Sequence, residues 1–92
     1  MIGKYVVVRT YSAGVHIGVL QTQNGKEVTL KDARRIWSWN GAFTLHAVAT
    51  KGIKSGNLSC VVKEIGLTEA IEVIPTTTKA EKILREYPEK EV

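Results

Sequence analysis

Ninety-two residues at 10.1 kDa, 43% apolar and 24% charged, make one globular domain and leave no room for a second packed core. No run approaches the ~18 apolar residues of a membrane span, the N-terminus has no h-region or cleavage site, and a lone Cys60 cannot close an internal disulfide; a reducing cytosol is the expected compartment. The net charge of +4 divides unevenly: residues 1–63 carry nine Lys/Arg against two acidic residues, residues 64–92 four against seven, so a basic body that attracts phosphate-bearing partners precedes an acidic end.

Lys4–Tyr11 is rich in β-branched and aromatic residues and predicts a strand, with Tyr5, Val7, Arg9 and Tyr11 on one face and Val6, Val8 and Thr10 on the other. Ser12-Ala13-Gly14 is a turn signal. Val15–Leu20 predicts a second strand in which Gly18 marks a bulge or a close backbone approach. Asn24-Gly25 predicts a type I′ hairpin turn, with Glu27–Leu30 as the returning strand. Lys31–Arg35 is too polar for a central strand and is read as turning the chain, after which Ile36–Trp39 alternates with period two up to Asn40-Gly41.

Thr44 is placed to cap a short helix over Leu45–Lys51 that Gly52 stops. Lys54–Asn57 reads as loop, Leu58–Val62 and Ala70–Ile74 as strands, and Thr76-Thr77-Thr78 as the cap of a helix with Ala80, Ile83, Leu84 and Tyr87 on one stripe. Pro88 ends it. The expected architecture is α+β: a small, mostly antiparallel sheet of about five to six strands, one short internal helix and a C-terminal amphipathic helix, in a single domain over 1–88 with a frayed acidic terminus over 89–92.

Catalytic patterns are weak. His16, His46 and Cys60 have no metal-pair spacing, no Gly-rich phosphate loop is present, and Cys60 sits in an apolar run where cysteine acts as a small hydrophobe. The chain is therefore expected to be no enzyme and to need neither metal nor cofactor. Its densest segment is Asp32–Phe43, with both tryptophans, the sole phenylalanine, two arginines and an asparagine. Such a set suits a nucleotide: Trp37 or Trp39 would stack on a base, Arg34 or Arg35 would meet phosphate bidentately, and Asn40 or Tyr11 would set orientation. Two large aromatics in so short a chain are equally what a core requires. Adjacent Arg34 and Arg35 point in different directions, so one of them at most serves a given phosphate. Tyr11–Gly14 offers backbone donors as an anion-binding rim, against the plainer reading of an ordinary hairpin, and Arg9 extends that face if no helix covers it.

The strings Lys4-Tyr5-Val6-Val7-Val8-Arg9-Thr10-Tyr11-Ser12-Ala13-Gly14-Val15, Asn24–Val28 and Ala33-Arg34-Arg35-Ile36-Trp37-Ser38-Trp39-Asn40-Gly41-Ala42 resemble a small phage-encoded family of unassigned function. The resemblance implies a phage origin and, by analogy with phage sponges that sequester nucleotide immune signals, a counter-defence protein acting in the host cytoplasm. The expectation is a homo-oligomer that binds and sequesters a nucleotide-like immune signalling molecule, a cyclic nucleotide among the candidates, and does not turn it over. The alternatives are a protein-binding inhibitor of a host nuclease or CRISPR effector, and a weak nucleic-acid binder; no membrane partner is expected.

Overall fold

Tyr5-Val6-Val7-Val8 places four large apolar residues in succession on one strand, which is stable only where both faces are covered. The computed structural model, which describes residues 1–90, covers both. Strand β1 (Tyr5–Thr10) pairs on one side with β2 (Val15–Asn24) and on the other with β6 (Ala70–Pro75). β2 pairs with the long β3 (Glu27–Asn40), whose outer edge is shared by β5 (Val62–Leu67) along Val28–Ala33 and by β4 (Ser55–Leu58) along Ile36–Asn40. Every pairing is antiparallel among the described residues. The fold is α+β, with α1 (Leu45–Lys51) inside the chain and α2 (Thr78–Glu86) near its end.

The order of pairing forces curvature. β5 and β6 lie at opposite ends of the run β5-β3-β2-β1-β6, yet only Thr68 and Glu69 join them, so the sheet curls to bring its ends together. Inside the curl, Val6 and Val8 of β1 pack with Leu20, Val28, Leu30 and Leu67. Outside it, Tyr5 and Val7 pack with Ile17, Ile36 and Leu58, and the helices close that face with Val48, Ala49 and Leu84. Each fully buried aliphatic side chain of either cluster contributes about 1.5–3 kcal/mol.

Both helices form where their signals lie. Thr44 Oγ1 accepts the Ala47 N–H at 3.1 Å, and Gly52, at φ +78°, turns the chain out of α1 while its N–H donates to Val48 O. Thr77 Oγ1 likewise accepts from Ala80 N at 3.1 Å, and Ala80 and Leu84 are buried. No helix among the described residues is long and apolar enough to cross a membrane.

Three expectations are corrected. Lys31–Arg35 does not turn the chain: it continues β3 through a bulge at Asp32, whose φ of +52° a short polar side chain tolerates. That bulge faces Gly18, where a Cβ would meet Lys31 O at 3.0 Å and Ala33 Cα at 3.1 Å, so the glycine serves the close approach and the register shift together. The β2–β3 loop is Gly25–Lys26, because Asn24 pairs with Glu27; Gly25 alone of the two has positive φ, as a type II′ turn demands. Finally, residues 55–58 form β4, residues 59–61 are irregular, and β5 begins at Val62, so the strand expected over Leu58–Val62 is divided between two elements. Of the terminus expected to fray, Lys90 N donates to Leu58 O at 2.9 Å, and residues 91–92 lie outside the described residues.

Candidate functional site

The Asp32 bulge decides where the two arginines go. Ala33 turns into the curl and Arg34 turns outward beneath α2, where it is buried. Its Nε donates to Ser59 O at 2.9 Å, and its Nη1 donates to Leu84 O at 2.9 Å and Tyr87 O at 2.7 Å. The last carbonyls of a helix lack intrahelical donors and carry partial negative charge, so a guanidinium there satisfies both needs. Arg34 is thus a structural cap and leaves the ligand set. Arg35 is exposed, its backbone tied to Ser59 through N–H to Oγ at 2.8 Å, and its guanidinium makes no hydrogen bond or ion pair among the described residues.

A second irregularity shapes the aromatics. Ile36 pairs with Leu58 and Ser38 with Asn57, leaving Trp37 with no residue opposite it in β4. Trp37 is 49% exposed, while Trp39 packs half-buried against the outer core. The Trp39 indole N–H is spent on Ala42 O at 3.1 Å, which closes the 39–42 turn and leaves the ring as the face on offer. Gly41 is required in that turn: its φ is +94°, and a Cβ would come within 2.6 Å of Lys54 Cγ.

Trp39 is the wall shared by three open clefts. One, of about 740 Å³, is bordered by Arg35, Trp37 and the Ser12–Val15 turn. The second, of about 700 Å³, is bordered by Asn40, Phe43, Lys51 and Lys54. The third, of about 400 Å³, runs between Phe43 and Arg9. Phe43 stands fully in solvent, and neither Lys51 nor Lys54 has an ion-pair partner among the described residues. Asn40 Nδ2 makes one long bond, 3.3 Å to Ser55 Oγ. Phe43, Lys51 and Lys54 were not among the residues expected to bind; the lysines lie beyond the dense segment, and only the fold of α1 back onto the Trp39 turn brings them near it.

The hairpin rim is already occupied. Tyr11 N donates to Glu69 O, Ala13 N to Thr10 Oγ1, and Ser12 Oγ to the Glu69 carboxylate, each at 2.9 Å. A carboxylate seated there disfavours a second anion. The Tyr11 ring is exposed, but Tyr11 borders none of the three clefts. Arg9 pairs with Glu72 at 3.7 Å. Tyr5, on the same face, is covered by α2: Arg85 lies 4.5 Å over its ring, its hydroxyl is buried with no hydrogen-bond partner among the described residues, and burial, against the pull of Arg85, raises its pKa to about 12.

A smaller cavity of about 230 Å³ opens where β3 changes partner from β5 to β4, and both His16 and Cys60 border it. His16 Nε2 donates to Ala13 O at 2.9 Å, which assigns the ring proton of the neutral form to Nε2. Burial first, and the Arg35 charge second, lower its pKa from 6.5, against the raising effect of the Ala13 carbonyl. Among the described residues no three His, Cys, Asp or Glu side chains gather as a metal site.

No curated protein and no solved structure matches this chain. A family model described as a domain of unknown function (DUF6948) matches residues 3–84, which is most of its length, and the chain belongs to that family.

Proposed function

We propose that the protein is a binding module for a nucleotide-like ligand, held at the Trp39 surface and released unchanged. One observation carries this reading: three rings (Trp37, Trp39 and Phe43) border clefts that also hold three cations, Arg35, Lys51 and Lys54, none of them paired to a carboxylate among the described residues. Rings supply stacking, at ~1–3 kcal/mol per base, and unpaired cations supply phosphate affinity. The clefts are open on the solvent side, so a homo-oligomer in which a second copy completes the enclosure suits the reading. Joined to the phage resemblance of the Lys4–Val15 and Ala33–Ala42 strings, it extends to a counter-defence protein that sequesters a signalling nucleotide in the host cytoplasm.

The test is native mass spectrometry of the purified protein, alone and with a pool of mono-, di- and cyclic nucleotides. A discrete adduct that leaves at unchanged mass on denaturation is the expected result. Trp37→Ala and Arg35→Ala should each weaken it about tenfold while leaving the unfolding midpoint in place. A protein that ignores the whole pool overturns the reading and favours the inhibitor alternative, for which the full exposure of Phe43 is the relevant feature. Turnover of any nucleotide by the pure protein overturns the claim that the ligand is released unchanged.

A further inference from the structure

Resting on that reading, we infer that the ligand carries two bases joined by a phosphodiester, one base on either side of Trp39. The two large clefts are nearly equal, about 740 and 700 Å³, and each is furnished with its own ring and its own positive charge. On one side these are Trp37 and Arg35, on the other Phe43 and the Lys51–Lys54 pair. Trp39 is the residue that borders both. A single base would use one cleft and leave the second set of ring and cation solvated. Two linked bases would use both, with the linking phosphate crossing the Trp39 turn within reach of cations from either side. Neither cleft alone is enclosed, so affinity has to come from engaging both at once, as the second contact of a linked pair becomes intramolecular.

The requirement for Trp39 follows from its two attachments. Its ring packs on the outer core and its N–H is fixed to Ala42 O, so it is a rigid partition that loses little freedom when a ligand arrives. Trp37, unopposed in β4, and Phe43, fully exposed, are the adjustable outer walls. Two sources share this chemistry: a free dinucleotide and a segment of single-stranded nucleic acid.

The experiment is a tryptophan-quenching titration with adenosine monophosphate, linear and cyclic adenosine dinucleotides, and a short oligoadenylate, using wild type, Trp37→Phe and Trp39→Phe. The linked dinucleotide, linear or cyclic, should bind at least about fivefold tighter than the monophosphate, the gain of one further stacked base. It should also quench the tryptophan retained in each single-tryptophan variant. Arg35→Ala or Lys51→Ala/Lys54→Ala should bring the dinucleotide down towards the monophosphate. If the monophosphate binds as tightly as the dinucleotide, the two-base inference is overturned and the nucleotide reading stands. If no probe binds, both fail. A dinucleotide that equals the oligoadenylate identifies a free dinucleotide as the source. Preference for the oligomer, with affinity falling steeply in salt, identifies a strand segment.

Discussion

From Glu27 to Lys31, β3 alternates between buried and exposed as a strand with one dry face should, and from Ala33 to Asn40 it does not. The first half is flanked by β2 and β5 and sends Val28 and Leu30 into the curl. In the second half, Ala33 and Arg34 are buried in succession, Arg35 is exposed, Ile36 is buried, and Trp37 has no opposite number. Two extra residues set the second half apart, Asp32 at its start and Trp37 within it. The first reverses which side chains face inward, so that an arginine reaches α2, and the second returns Trp39 to the outer face beside the unopposed Trp37. A strand can therefore serve as core along one half and as an open, cleft-bordering surface along the other, provided local irregularities break its period.

Five substitutions test this contrast. Leu30→Ala, in the regular half, should cost about 3 kcal/mol in urea unfolding, because it empties a fully buried position inside the curl. Arg34→Met should cost about 2–3 kcal/mol by stripping three carbonyls of a charged donor, whereas Arg35→Met should stay within about 0.5 kcal/mol; equal losses would refute the division between cap and surface. Asp32→Val should lose about 1–2 kcal/mol, since a β-branched residue resists the left-handed conformation, while Asp32→Gly should fold at least as well as wild type. A neutral valine would mean the bulge is elsewhere.

The smallest effect is in pH. The fold holds His16 neutral below its ordinary 6.5, so the unfolded chain takes up the proton first. Its contribution is complete above about pH 6.5, declines as the pH falls through that value towards the folded pKa, and levels off below it. Denaturant midpoints compared at neutral and mildly acidic pH should show a smaller acid loss in His16→Gln than in wild type; parallel curves would remove His16 from the account.

Much of this fold is legible in residue order. The Tyr5–Thr10 strand shows in its β-branched run, Val15, Ile17 and Val19 share the helix-covered face their spacing indicates, and Thr44, Gly52 and Thr77 bound their helices as capping chemistry requires. The polar run Lys31–Arg35 misleads because its most telling residue, Arg34, is satisfied by carbonyls fifty and fifty-three residues further on. The candidate site is legible in part: Arg9, Arg35, Trp37, Trp39 and Asn40 border the clefts, Arg34 and Tyr11 do not, and Phe43, Lys51 and Lys54 join them.

Residue order by itself determined the period of β1, the helix caps and the turns at Ser12–Gly14 and Asn40-Gly41, because those depend on backbone sterics and hydrogen bonds acting over a few residues. Tertiary structure decided which edge of β3 each later strand takes, that the sheet curls upon itself, and which of two adjacent arginines is buried. Those outcomes depend on what the unpaired carbonyls of α2 and the exposed edges of β3 find across the fold, a demand that no short stretch of the chain records.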